Sequence, residues 1–382
     1  MISRWRNVER VAELTLSVMA LLFLASSFGL IQSAASGATR DAIQEAPEQA
    51  PPPPGELIDI GGWKLHLNCS GQNKDSSPTV IFESGAGGIS LDWYFVQAGV
   101  AKFTRACSYD RAGTAWSELG PRPRTLHQDE YELHKLLAAA GIPGPYVLVG
   151  HSMGGVMVRI FQAQYSTAVS AMVLVDPFCD DCKLVHFGKL MRLRDDTTGK
   201  PIPPVRTMIL ASEKELSAEE KPQIARMIGS DGRLSQRQSA EPAPIPQAAE
   251  IRPHVSPIVP SDIKRLRLWA MQQPGRAIDG SPFTGQEIAE LYEARTTRQH
   301  VLGDMPLTVI IAAKRQEAPG LPPEWRVSNE EVNRIEEESA KMSTNGKFIY
   351  ADSGHAVMDE QPLAVIDAIH EVVKAASRRP GK

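Results

Sequence analysis

Continuous apolar runs alternate with segments of helical periodicity along most of this chain. Apolar runs typical of strands buried on both faces occur in TVIFESG, YVLVGHS, SAMVLVDP and PLTVIIAA. Apolar residues at helical spacing occur in TLHQDEYELHKLLAAAGI, MGGVMVRIFQAQYS, NEEVNRIEEESAKM and PLAVIDAIHEVVKAAS. Strands that alternate with helices in this way predict an α/β protein with a mostly parallel sheet covered by helices on both faces.

Other segments complete this outline. ELIDI and KLHLNCSG predict a strand pair that turns at Gly61 and Gly62, and TRACSYDRAG and KFIYADSGH predict two more strands. Residues 178–305 are too many for a structureless loop, and they contain helical patterns separated by prolines. We therefore predict a core formed by residues 57–177 and 306–378, with a helical cap insertion at 178–305.

The N-terminal 38 residues differ from the rest of the chain. Arg4, Arg6 and Arg10 precede an uncharged apolar stretch at 14–31, and the small residues QSAASGA follow it. As a helix this stretch would be about 27 Å long, close to the roughly 30 Å hydrocarbon core of a bilayer. Residues 1–38 therefore predict either a cleaved signal peptide or a retained signal anchor. Both place the remaining chain outside the cytoplasm, secreted, periplasmic or anchored to the membrane.

Residues 39–56 form a proline-rich linker, in which four consecutive prolines at 51–54 favour an extended spacer. The whole chain has an ordinary globular composition, with 382 residues, 42% hydrophobic and 23% charged. A formal net charge of −4 does not indicate the concentrated basic surface that nucleic acid requires. We therefore exclude nucleic acid as a partner.

The four cysteines fit an exported protein, because disulfides persist outside the cytoplasm. Cys179 and Cys182 lie in FCDDCK, and Cys69 and Cys107 lie in two predicted strands. The C-x-x-C motif does not open a helix of a thioredoxin-like unit, and no histidine pair accompanies it as in a zinc site. Structural disulfides or unpaired thiols are the two interpretations that remain.

A serine lies where the strand YVLV meets the following helix, in VLVGHSMGG. Ser152 is flanked by Gly150 and Gly154, and this strand–turn–helix context places a side chain at the carboxyl edge of a sheet. A serine hydroxyl becomes an effective nucleophile only when a base activates it and a third group orients that base. Met153, first in the helix, offers its backbone N–H to a developing oxyanion.

Several motifs together resemble the α/β-hydrolase superfamily over most of the chain, from about Glu56 to Ser377. They are ESGAGG, SYDRAGTAWS, GHSMGG, VLVDP and SGHAVMDEQP. The resemblance implies an eight-stranded, mostly parallel sheet and a Gly-x-Ser-x-Gly nucleophile elbow at Ser152. It implies a triad in the order Ser, acid, His, with His355 as the base, and it requires no metal and no organic cofactor.

The acid of that triad has more than one candidate. In many relatives it follows the strand written here PLTVIIAA, but no aspartate follows it before the acidic helix, and Glu317 is the candidate there. Other relatives place the acid at the end of the strand after the nucleophile helix, which corresponds to Asp176 in VLVDP. We expect Asp176, with Glu317 as the alternative and Asp352 and Asp359 as further candidates.

The resemblance also assigns supporting positions. ESGAGG takes the place of the family's oxyanion loop, with Ser84-Gly85 where relatives usually have His-Gly, and the N–H of Ala86 is the second expected oxyanion donor. The stretch from Asp110 to Gly113 resembles a structural turn, and His151 is expected to pack rather than react. The family's strand order makes the strands of Cys69 and Cys107 antiparallel neighbours, which implies a disulfide between them.

These inferences predict an exported serine hydrolase that cleaves a carboxylic ester, or an amide, of a small-molecule substrate through an acyl-enzyme. Aminopeptidase, lipase and carbon–carbon hydrolase activities remain open, because the insertion sets the substrate. The alternative is a non-catalytic binding or signalling protein on the same scaffold. A membrane-anchored structural subunit is a third hypothesis, and it depends only on the N-terminal segment.

Overall fold

The computed structural model describes residues 51–74, 77–121, 124–186, 189–195, 202, 259–271, 283–315 and 328–378. Its strands, in chain order, are β1 Glu56–Asp59, β2 Lys64–Ser70, β3 Val80–Glu83, β4 Ala106–Tyr109, β5 Tyr146–His151, β6 Val169–Val175, β7 Lys183–His186, β8 Lys189–Arg192, β9 Leu307–Ala312 and β10 Gly346–Ala351. Its α-helices are α1 Tyr94–Val100, α2 Leu126–Ala139, α3 Met153–Gln164, α4 Ser261–Met271, α5 Thr284–Thr297, α6 Asn329–Ser339, α7 Val357–Glu360 and α8 Pro362–Ser377.

Eight of the strands form one sheet, in the order β1-β2-β4-β3-β5-β6-β9-β10. β2 pairs antiparallel with both β1 and β4, whereas every other neighbouring pair in this sheet runs parallel. The eight-stranded, mostly parallel sheet expected from the sequence is therefore confirmed. All of its parallel strands point their carboxyl ends to the same edge.

Helices cover both faces of this sheet, as predicted. The two-residue period of a strand sends Leu148 of β5 into one hydrophobic core and its neighbours Val147 and Val149 into the other. Residues of α2 and α3 complete the first core, and residues of α1 and α8 complete the second. Strands buried on both sides explain the continuous apolar runs of the sequence.

The insertion contains helices, as expected, and also a hairpin that the sequence pattern did not predict. α4 and α5 correspond to two of the predicted helical segments, whereas β7 and β8 pair antiparallel as a separate two-stranded sheet. Each of these strands has four residues, too few to show a clear alternation of apolar and polar positions. The other two helical segments, at 213–228 and 234–242, lie outside the described residues.

The predicted leader, residues 1–38, lies outside the described residues, as does the linker before residue 51. The last prolines of the linker contact the core: the indole of Trp116 donates to the carbonyl of Pro51 at 2.8 Å, and Nε2 of His66 donates to that of Pro54 at 3.0 Å. Within the part of the chain that is described, no helix combines the length and apolar character needed to cross a bilayer.

All four cysteines are paired in the structure. Cys69 and Cys107 are direct register partners on β2 and β4, with their Cα atoms 4.1 Å apart, and a disulfide joins them. Close antiparallel partners of this kind are within disulfide reach. A second disulfide joins Cys179 to Cys182, directly after the strand that ends at Val175.

Candidate active site

Ser152 occupies the sharp turn between β5 and α3. Its backbone has φ 52° and ψ −121°, a conformation that residues other than glycine rarely adopt. Hydrogen bonds hold the turn: the Ser152 amide donates to Val175 at 3.1 Å, and its carbonyl accepts from Gly155 at 2.9 Å and Phe178 at 2.8 Å. The side chain is therefore presented at the carboxyl edge of the sheet on a firmly held backbone.

The glycines around Ser152 are required by close backbone contacts. A Cβ atom at Gly150 would lie 2.3 Å from the carbonyl oxygen of Gly154, and a Cβ at Gly154 would lie 2.3 Å from that of Glu83. Side chains at these positions would push α3 away from β3 and β5. The G-x-S-x-G spacing thus follows from how closely the helix start approaches the sheet.

Asp176 lies beside Ser152 at the same edge. His151 and Val175 are register partners on the parallel strands β5 and β6, so Ser152 and Asp176 follow equivalent positions. Asp176 also has a positive φ, of 41°. His355, in the loop between β10 and α7, has its Nδ1 atom 2.6 Å from Oδ2 of Asp176. The structure therefore brings Ser152, Asp176 and His355, which are far apart in the sequence, to one edge of the sheet.

The protonation of this pair follows from its contacts. A carboxylate only accepts hydrogen bonds, so Nδ1 of His355 donates and Nε2 is left as the basic atom. Burial alone would raise the pKa of Asp176, but the hydrogen bond and charge of His355, together with the guanidinium of Arg315, hold that pKa well below its usual range. Asp176 also accepts the amide of Ala312 at 2.9 Å. The carboxylate is therefore ionised and fixed.

The other candidate acids have different surroundings. Asp352 is exposed, and its carboxylate binds Lys314 at 2.8 Å. Asp359 is buried, and its carboxylate binds Arg267 at 2.7 Å. Glu317 lies outside the described residues. Among the described candidates, Asp176 is the carboxylate that contacts His355.

His151 is buried and packs against His355, and it also makes a hydrogen bond that the sequence did not indicate. Its Nε2 atom donates to the carbonyl of His355 at 2.9 Å, and the two ring centroids are 4.6 Å apart. Burial, together with the imidazole of His355, lowers the pKa of His151 to about 3. This neutral imidazole therefore ties the His355 loop to the residue next to Ser152.

The loop after β3 lies directly against Ser152. A Cβ atom at Gly85 would be 3.2 Å from Cβ of Ser152. The turn from Gly85 to Gly88 is closed by a hydrogen bond of 3.0 Å and has φ 62° at Gly87, as in a type II turn. Ala86, the first central residue, is exposed.

Arg111 orients this loop, a role that the sequence analysis did not assign to it. Its guanidinium donates to the carbonyls of Ser84 at 2.9 Å and Gly85 at 2.7 Å, and it pairs with Glu83 at 2.6 Å. The C=O and N–H of a trans peptide point in opposite directions. Binding of the Gly85 carbonyl by Arg111 therefore directs the Ala86 N–H to the opposite side.

The other expected oxyanion donor is the amide of Met153, which begins α3. Amides in the first turn of a helix have no partner within that helix, and the helix dipole favours negative charge there. A serine, an imidazole bonded to a buried carboxylate, and backbone donors at a helix start make an arrangement suited to acyl transfer.

Comparison with known proteins identifies the family of this chain. Residues 80–368 match the family described as the Alpha/beta hydrolase family. This chain belongs to the alpha/beta hydrolase family. The family expected from the sequence motifs is therefore confirmed.

The chain spans half or less of the length of three curated relatives. The chain is 42% identical over 106 residues to the probable transporter efuK of Hormonema carpetanum. The aligned segment covers 27% of this chain and 15% of that protein. It is 36% identical over 128 residues to the uncharacterized protein YqjL of Bacillus subtilis, which covers 34% of this chain and 50% of that protein. The putative carbamate hydrolase RutD of Cronobacter turicensis is 31% identical over 113 residues, or 29% and 42% of the two chains.

Solved structures share the fold of this chain. A meta-cleavage product hydrolase from Pseudomonas fluorescens matches 84% of this chain and 98% of its own, with a TM-score of 0.51 and 16% identity. An enol-lactonase from Burkholderia xenovorans matches 84% of this chain and 100% of its own, with a TM-score of 0.50 and 14% identity. At this level of identity the likeness concerns the fold.

Proposed function

We propose that this chain is an exported serine hydrolase that cleaves a carboxylic ester, or an amide, of a small-molecule substrate through an acyl-enzyme. The observation that carries the proposal is the 2.6 Å contact of His355 with the buried Asp176, at the sheet edge where Ser152 follows β5. Both disulfides fit an exported protein, with residues 1–38 acting as a signal peptide or membrane anchor.

In the proposed mechanism Ser152 Oγ attacks the substrate carbonyl while Nε2 of His355 accepts the hydroxyl proton. Asp176 orients His355 and stabilises the imidazolium that forms. The N–H groups of Ala86 and Met153 bind the oxyanion, and His355 then returns the proton to the leaving alcohol or amine. Water, deprotonated by His355, releases the acid product and restores Ser152.

A fluorophosphonate probe, which reacts with activated serines, tests this proposal. Wild type should be labelled, Ser152→Ala should not, and Ser166→Ala, at an exposed serine outside the site, should be labelled like wild type. p-Nitrophenyl esters of graded acyl length then measure turnover and the size of the acyl pocket. A folded wild type that is neither labelled nor active would favour a non-catalytic binding protein.

A further inference from the structure

Arg315 joins the active-site carboxylate to a second buried acid. It follows β9 by three residues, and its Nη2 atom contacts both Oδ1 of Asp176 and Oε2 of Glu336, which lies on α6. The Arg315 side chain is 13% exposed, and the two carboxylates are 2% and 3% exposed. Little water is therefore available to screen the charge of Arg315 from Asp176.

The two oxygens of Asp176 are divided between different partners. Oδ2 receives His355, whereas Oδ1 receives Arg315 and the amide of Ala312. A carboxylate bound on both oxygens cannot rotate without breaking one set of contacts. Arg315 therefore fixes the rotamer in which Oδ2 faces the imidazole.

The charge of Arg315 acts on the same pair. The negative charge of Asp176 stabilises protonated His355, and a cation on the far side of Asp176 opposes that effect. Burial and the charge of Asp176 raise the pKa of Glu336 well above its ordinary value, although Arg315 opposes this rise. Glu336 thus takes up a proton more readily than an ordinary carboxyl group. Once protonated, Glu336 no longer neutralises Arg315, so the charge of the guanidinium acts on Asp176.

We propose that Arg315 is a positioning residue for the reaction, which orients Asp176 and limits how strongly Asp176 stabilises the imidazolium of His355. The inference rests on the proposed function, because it concerns the same triad. Arg315 does not contact the substrate in this role, so its loss acts on kcat and on the pH dependence rather than on KM.

Other charged or titratable groups surround the His355 loop and belong to its pH response. They are His151 at the end of β5, Lys314 after β9, Asp352 after β10, Asp359 and Glu360 on α7, and Arg267 on α4. His151 is neutral, the Lys314–Asp352 pair is exposed, and Asp359 is matched by Arg267. Arg315, by contrast, is a buried cation that contacts the same carboxylate as His355.

The test is the pH profile of kcat/KM for ester hydrolysis by wild type, Arg315→Gln and Arg315→Lys. Arg334→Gln is the matched control, because Arg334 forms an exposed pair with Glu338 on the helix that carries Glu336. We expect Arg315→Gln to lower kcat about tenfold or more and to shift the acidic limb to higher pH by up to about one unit. Arg315→Lys keeps the charge, so it should retain the wild-type limb with a reduced kcat.

The outcomes separate this inference from the proposed function. An acidic limb that is the same in Arg315→Gln and wild type would overturn the role of Arg315 while leaving the hydrolase intact. If Arg315→Gln fails to fold, Arg315→Lys serves as the test instead. A shift of the acidic limb of its pH profile from that of wild type would overturn the inference. An inactive, unlabelled wild type would instead contradict the proposed function itself.

Discussion

The guanidinium of Arg267, on α4, binds both carboxylate oxygens of Asp359, at 2.7 and 3.0 Å, four residues after His355. It also donates to the carbonyl of Leu91 at 2.8 Å, close to the Ala86 loop. One cap residue therefore connects α7, which follows the His355 loop, to the short 3-10 turn Ser90–Trp93, which follows the Ala86 loop. Both charged groups are buried, so loss of one partner should reduce the free energy of unfolding more than loss of a partner in an exposed ion pair.

Arg267→Gln should therefore destabilise the protein by about 3 kcal/mol, because the buried carboxylate of Asp359 would lose its partner. Urea unfolding measures this change. Arg265→Gln, at an exposed position of the same helix, should remain within about 0.5 kcal/mol of wild type. Equal stabilities for the two variants would contradict the joint described here.

Asp176→Asn should lower kcat by about three to four orders of magnitude, because an amide no longer enforces the His355 tautomer with a basic Nε2. Ester hydrolysis at saturating substrate measures the loss. Asp352→Asn, at an exposed carboxylate in the same region, should retain wild-type turnover. Glu317→Gln should also remain active; an inactive Glu317→Gln beside an active Asp176→Asn would reverse the assignment of the acid.

Ala86→Pro should reduce kcat by about 10² to 10³, because proline removes the N–H that is proposed to bind the oxyanion. Proline is common at the first central position of a type II turn, so the Gly85–Gly88 turn should persist and the melting temperature should change little. Ala86→Ser keeps the amide and serves as the control. Similar rates for Ala86→Pro and Ala86→Ser would exclude this amide as a donor.

The two disulfides should contribute unequally to stability. Their cysteines are 38 and 3 residues apart in the sequence, and loop-closure entropy gives about 4 kcal/mol for the longer loop against about 1.6 kcal/mol for the shorter. Paired Cys→Ser variants of Cys69 with Cys107, and of Cys179 with Cys182, compare them by urea unfolding. A larger loss from the second pair would show that its contacts outweigh chain entropy. Non-reducing peptide mapping checks that each bridge forms.

A histidine joins α2 to the cap and should make stability depend on pH. Nδ1 of His127 lies 2.9 Å from Glu287 on α5, and Nε2 lies 3.5 Å from Glu290. Burial opposes protonation, but the hydrogen bond and charge of Glu287, with the charge of Glu290, raise the pKa of His127. The stabilisation should be fully present below about pH 6.5 and should disappear as pH rises through the higher folded-state pKa.

Unfolding free energies between pH 5.5 and 8.5 for wild type and His127→Gln test this dependence. The difference between the two proteins should shrink as the pH increases. His300→Gln, at an exposed histidine, should follow the wild-type curve. A difference that is constant across the range would show that His127 contributes by packing rather than by charge.

The sequence predicted the elements whose signals are local. Ser152 is identifiable because its strand, turn and helix are contiguous, and Asp176 and His355 each follow a recognisable strand. The helix Tyr94–Val100 was missed, since a segment of seven residues contains too few turns for a periodicity to stand out.

The supporting arginines could not be predicted for a different reason. Arg267 pairs with a residue 92 positions away, and Arg315 with one 139 positions away. Such contacts leave no pattern in neighbouring residues, and an isolated arginine in a sequence is usually solvated. Arg111 lies in the motif SYDRAGTAWS, but its two carbonyl acceptors are 27 and 26 positions away, on the loop after another strand.

Asp176 follows β6, so the proposed triad acid comes before the cap insertion in the chain. The length of the cap therefore does not set the position of the acid. Ser152 and Asp176 follow the adjacent strands β5 and β6, and both belong to one continuous segment that ends before the insertion begins. Only His355 lies beyond the insertion, in the loop after β10. A change in the length of the cap therefore leaves the sequence separation of Ser152 and Asp176 unchanged, so that new substrate ranges could arise by exchange within a single contiguous piece that keeps Arg267.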